Sequence, residues 1–262
     1  MQDPYAVLGL TPDAGMAEIK RAYRKKAKKL HPDVSGSDAE QFRLLYAAYK
    51  ALSDERANLF ERAFTVQKPH ETFNYREWLL QRADEESRCK LVFWDLMHSR
   101  EEDAVQLFKI LNREISACKV ASWFPREDFM DYGFILAEEL SFRAEFYDAV
   151  LLLEQIIVME QKRPYFKHFF PEVTDLIKSI IIDKLHRYVE DELALDCYEA
   201  ALELGFKKID RANILKRMSE IYYRFGDSYK ASQYVNEAMK LSPKLRGIKI
   251  IQNQLENHYD YN

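Results

Sequence analysis

The chain of 262 residues is 47% hydrophobic, holds only 7 glycines and 8 prolines, and carries a formal net charge of −4. That composition excludes a generally disordered, collagen-like or low-complexity chain, and its abundant Leu, Ala, Glu and Lys lean towards an all-α protein. The charge is uneven: residues 1–64 hold 11 Lys and Arg against 9 Asp and Glu, and seven of those cations lie between Lys20 and Lys29, so the remainder is acidic.

In chain order, "DPYAVLGL" reads as a short apolar helix stopped at Gly9, and a long basic helix follows from about Met16 to Leu30. "HPDVSG" then breaks the pattern, because Pro32 cannot continue a helix and biases its predecessor away from helical geometry. Ser37 and Glu40 have capping-box spacing for a third helix carrying Phe42, Leu45, Tyr46 and Tyr49. "LSDER" suggests a new N-cap at Ser53 and a short fourth helix through Leu59 and Phe60. The two middle helices are expected to pack antiparallel, with the His-Pro-Asp turn at their tip.

Residues 65–72, "TVQKPHET", lack apolar periodicity and read as a linker. Beyond them nearly everything is amphipathic helix. "DAVQLFKIL", "DAVLLLEQII", "LALDCYEAAL" and "KASQYVNEAM" share a local pattern whose alanines, Ala104, Ala149, Ala194 and Ala231, stand 45, 45 and 37 residues apart. Small residues at that spacing suit the close approach of two helices in stacked hairpins. From Ala212 to Pro243 the last unit follows the tetratricopeptide (TPR) pattern, which it resembles over one repeat of about 34 residues. The other three are longer and only TPR-like. A closing helix is expected over about Leu245–Asn257, and residues 161–173, "QKRPYFKHFFPEV", read as an insertion whose aromatic residues either plug a junction or bind a partner. Trp78, Trp94 and Trp123 read as core.

Taken together, "DPYAVLGL", "EIKRAYRKKAKKLHPD", "QFRLLYAAYKALSD" and "ERANLFE" resemble, in order and spacing, the J-domain of DnaJ-like co-chaperones over residues 3–61. The chain departs from the family pattern in four places. Val34 and Ser35 follow the tripeptide, the loop to Phe42 is short, the proline usual after Leu-Ser-Asp is missing, and Lys26 stands at a usually apolar position. The resemblance implies a module that stimulates ATP hydrolysis by a DnaK-type seventy-kilodalton heat-shock chaperone. In it, His31, Pro32 and Asp33 would be the essential contact, and Lys20, Tyr23, Arg24 and Lys25 the accompanying helix surface.

The expected organisation is thus a J-domain over 1–64, a linker over 65–72 and a TPR-like helical domain over 73–262. The second domain is expected to select a client or partner protein, and Asn213, Lys216, Glu220 and Tyr223 fall at groove positions of the last repeat. Glu220 stands where a clamp for acidic chaperone tails would want Asn. The other reading is a scaffold or adaptor whose J-domain is weakened.

No phosphate-binding glycine loop, catalytic triad or metal-ligand spacing is present, so no enzyme activity, cofactor or metal is expected. An acidic C-terminal part argues against nucleic acid. Cys89, Cys118 and Cys197 are odd in number and lack C-x-x-C pairing, which suits reduced thiols in a cytoplasmic protein. Without an 18-residue apolar run, no membrane insertion is expected.

Overall fold

The computed structural model describes residues 3–30, 39–114 except 65–73, and 117–259. Every regular element among them is helical, as the composition and periodicity lead one to expect. The chain divides into two compact units, Met1–Glu139 and Leu140–Asn262. The expected linker and the His31-Pro32-Asp33 turn lie outside the described residues, as does Ser37 of the expected capping box.

The first unit opens with α1 (Pro4–Leu8). Asp3 caps it by accepting from the Tyr5 amide at 3.1 Å, and Gly9 ends it in a left-handed conformation at φ 73°. α2 (Met16–Leu30) and α3 (Ala39–Phe64) follow. They run antiparallel. The Arg56 guanidinium donates to the Ala14 carbonyl near one end, whereas Tyr23 stacks on Tyr49 further along. Leu8, Ala17, Ile19, Leu45, Ala48 and Leu52 form the apolar seam between the three helices.

α3 corrects one expectation. The third and fourth helices are a single helix of 26 residues, and Ser53 sits inside it rather than capping a new one. The reason is the missing proline: Glu55 keeps its backbone N–H after Leu-Ser-Asp, so nothing interrupts the helical ladder.

α4 (Tyr75–Leu80) is capped by Asn74, and α5 (Glu85–Met97) by Asp84, which accepts from the Ser87 amide at 3.0 Å. α5 turns through Ser99, at φ 56°, into α6 (Glu101–Asn112). Ala104 is fully buried on α6, as the hairpin pattern requires. After the short α7 (Ala117–Ala121) comes α8 (Arg126–Phe142), whose residues in this unit from Phe129 to Ala137 are buried almost all round. Phe93 of α5 lies at the centre, stacked on Phe124 at 4.0 Å and tilted against Phe129 and Tyr132. Trp78 departs from its core expectation: it is 39% exposed, with Arg82 over its ring at 4.8 Å.

The second unit contains α9 (Phe146–Lys162), a 3-10 turn at Lys167–Phe169, α10 (Phe170–Asp183), α11 (Leu185–Tyr188) and α12 (Asp191–Leu202). α13 (Lys208–Arg224), α14 (Ser228–Leu241) and α15 (Ile248–Tyr259) complete it. α13 and α14 form the closest helical hairpin. Gly226 turns at φ 77°, Asp227 caps α14, and Ala231, Val235 and Ala238 pack against the buried Leu215, Met218 and Ile221 side. Alanine at 231 leaves room for the facing helix, where a larger side chain would force strain. Ile248, Ile251 and Leu255 of α15 are buried, and the helix covers this hairpin as expected.

The aromatic insertion plugs the unit's interior: Phe166 is 4% and Phe169 6% exposed. The buried Glu160 carboxylate holds it there, accepting from the backbone amides of Tyr165 at 2.8 Å and Phe166 at 3.1 Å. None of the helices among the described residues is long and apolar enough to cross a membrane.

Candidate functional site

Lys20, Arg21 and Arg24 fall on one face of α2, since positions three and four apart share a side of a helix. Across this face lie carboxylates from two later helices of the same unit. Lys20 Nζ is 3.1 Å from Glu101 Oε1 on α6 and 3.5 Å from Glu139 Oε1 on α8. Arg21 and Arg24 each approach the Glu138 carboxylate at 3.1 Å, and Arg24 also pairs closely with Glu139. Burial pushes the Glu138 carboxyl above its ordinary range, against the opposing pull of Arg24, Arg21 and Lys20.

The same docking reaches the start of α2. Met16 donates its backbone N–H to Asp131 Oδ2 at 2.7 Å, so a carboxylate from α8 caps the positive end of the helix dipole. Gly15 permits this approach: a Cβ there would lie 2.5 Å from Asp131 Oδ2. The compact unit therefore extends well beyond residue 64.

The expected contact residues are held in different states. Lys20 is only 6% exposed. Tyr23 is stacked on Tyr49 with ring centroids 4.3 Å apart, and tilted against Tyr46. Burial, with the nearby Glu101 charge, pushes the Tyr49 phenol up to about 12. Arg24 is paired, whereas Lys25 and Lys29 point to solvent one step round the helix. Lys26 meets its odd position by donating to the Val7 carbonyl at 2.7 Å, which satisfies an end group of α1 and fills the space beside Gly9. Sequence reasoning passed over Arg21, Glu101, Glu138 and Glu139. The available signal was the Glu138–Glu139 pair in the otherwise apolar run "FILAEELSF", where each carboxylate needs a partner.

In the second unit the four residues expected at groove positions lie on α13. Asn213 donates to the Ile209 carbonyl, and Lys216 donates to the Arg246 carbonyl at 3.1 Å beside Gly247. Glu220 pairs with Arg217 at 2.8 Å and with Lys216 at 3.8 Å, and Tyr223 is half-buried. Burial pushes the Cys89 thiol up to about 12 and raises Cys197 as well, which leaves neither suited to act as a nucleophile. No three His, Cys, Asp or Glu side chains among the described residues gather as metal ligands.

Residues 3–59 match the family described as the DnaJ domain, which spans α1, α2 and most of α3. The chain is 46% identical over 54 residues to "Chaperone protein DnaJ" of Tropheryma whipplei (strain TW08/27), covering 21% of this chain and 16% of that protein. It is 48% identical over 52 residues to "DnaJ homolog subfamily A member 4" of Homo sapiens, covering 20% of this chain and 13% of that one. A longer match, 38% over 82 residues, is to "Chaperone protein DnaJ" of Hydrogenobacter thermophilus, covering 30% and 22%. The chain thus spans about a sixth of the first relative's length. No solved structure matches it.

Proposed function

We propose that this protein is a J-domain co-chaperone which stimulates the ATPase of a DnaK-type seventy-kilodalton heat-shock chaperone in the cytoplasm. Its TPR-like helical hairpins then select a client or partner protein. The observation that carries this reading is the DnaJ-domain match over residues 3–59. On it, His31, Pro32 and Asp33 form the essential contact, with Lys20, Tyr23, Arg24 and Lys25 on the adjoining helix. The partner's ATP is hydrolysed by the partner, and this chain contributes orientation and charge steering. Asn213, Lys216, Glu220 and Tyr223 mark the proposed groove for the client.

The test is single-turnover ATP hydrolysis by a DnaK-type chaperone in the presence of wild type or His31→Gln. Acceleration by wild type and loss in the variant supports the proposal; equal rates refute it. One observation favours the second reading, an adaptor with a weakened J-domain: Lys20 and Arg24 are already engaged within the chain. Partner capture that is retained in the His31→Gln protein, without ATPase stimulation, would support that reading.

A further inference from the structure

We propose that Glu101, Glu138 and Glu139 occupy the basic face of α2 in place of an acidic partner surface, so that the J-domain is held closed until they are displaced. This rests on the co-chaperone reading, and it adds a built-in competitor for the same cations.

Charge matching is the first support. Lys20, Arg21 and Arg24 face the three carboxylates Glu101, Glu138 and Glu139, which cancels the field a distant acidic partner would sense there. Burial is the second. The side chains of Glu138 and Glu139 are 11% and 10% exposed and that of Lys20 is 7%, so the Lys20–Glu139 pair is no surface bridge of negligible worth, whereas Arg21 and Arg24, 43% and 41% exposed, hold the carboxylates from the solvent side. Desolvated pairs are also poorly screened by salt. A partner reaching Lys20 must first separate it from two carboxylates, and those carboxylates must stay compensated or move into water.

Anchorage is the third. The Asp131 cap on Met16 and the Arg24 pairs lie eight residues apart on α2. At 1.5 Å per residue that is about 12 Å of docked helix. Among the described side chains of α2, Lys25 and Lys29 face solvent, one step round the helix from the paired face. First encounter with an acidic partner therefore falls to that flank, and full engagement waits for the carboxylates to leave. A partner that binds only the open state has its apparent affinity reduced by the fraction open, and removing the carboxylates restores it.

The experiment uses the full chain and a DnaK-type chaperone, with single-turnover ATP hydrolysis as readout. Wild type is compared with a Glu101→Gln/Glu138→Gln/Glu139→Gln variant. A Glu192→Gln/Glu199→Gln/Glu237→Gln variant, altered at exposed positions of the second unit, makes the same change in net charge. Acylation of Lys20 and Lys25 by an amine-reactive ester is followed in parallel by mass spectrometry. The occupied-face variant is expected to reach half-maximal stimulation at roughly fivefold lower concentration, with the control unchanged. Lys20 is expected to react about tenfold more slowly than Lys25 in wild type and to approach it in that variant. Glu101→Gln alone leaves Glu138 and Glu139 in place; should the triple variant unfold, it serves instead, with an expected gain of about twofold.

Equal stimulation by wild type and both variants, or rapid Lys20 acylation in wild type, overturns the occlusion and leaves the co-chaperone reading standing. No stimulation by any of these proteins removes the co-chaperone reading, and the inference with it.

Discussion

The two units solve the same problem, a carboxylate inside a helical protein, in opposite ways. In the first, Glu138 and Glu139 face Lys20, Arg21 and Arg24, which arrive from more than a hundred residues earlier in the chain. In the second, Glu160 spends its oxygens on the amides of Tyr165 and Phe166, and the buried Oε1 of Glu154 has no hydrogen-bond partner among the described residues. Burial alone pushes the Glu154 carboxyl up to about 7. Where a cation answers the carboxylate, burial becomes a tie between distant segments. At Glu154 no cation opposes the burial, which acts unchecked as a sensitivity to pH.

Stripping the cations from the first unit should give the largest effect. Arg21→Ala/Arg24→Ala removes the guanidinium partners of Glu138 and Glu139, and a loss of about 3 kcal/mol is expected in urea denaturation. A comparable stability to wild type would mean that solvent already compensates these carboxylates. Gly15→Ala attacks the same docking sterically, since its new Cβ would press on Asp131, whose oxygen holds the Met16 amide. Its cost should be about 2–3 kcal/mol, visible as a lower thermal midpoint.

Glu154→Gln sharpens the contrast from the other side. A carboxyl whose folded pKa is raised binds a proton more tightly folded than unfolded, so stability falls as pH rises from the ordinary carboxyl range towards about 7. The Gln variant should match wild type near pH 4 and exceed it by about 2 kcal/mol at pH 8. Parallel urea curves at the two pH values decide this; a constant difference would reject the assigned burial. The smallest effect belongs to the pairs of α13. Glu220→Ala removes ion pairs to Lys216 and Arg217 that lie within one helical turn, and about 0.5 kcal/mol is expected. A much larger loss would show that Glu220 ties segments together as Glu138 does.

Much of the architecture was legible because its causes are local. Ala104, Ala149, Ala194 and Ala231 are all fully buried, and their periodicity comes from the requirement for small residues where helices approach. Gly226 and Asp227 mark the α13–α14 turn by backbone conformation and capping, both written in neighbouring residues. Ser53 misled because a good capping residue stops a helix only when something else breaks it, and the proline was absent. Lys26 looked like a defect on a helical wheel; its partner, the Val7 carbonyl, belongs to another helix.

By itself, then, the sequence determined the helical class, the resemblance of residues 3–61 to a J-domain, the hairpin alanines and the concentration of positive charge on α2. Each follows from spacing over a few turns, where helical geometry dictates which side chains share a face. Only the tertiary structure decided what that charge meets. A run of lysines and arginines reads the same whether it faces water or its own chain, because Coulomb attraction depends on distance in space rather than separation in sequence. Folding brings Glu101, Glu138 and Glu139 within 3.1–3.5 Å or closer of Lys20, Arg21 and Arg24, and so turns an apparent docking face into an occupied one.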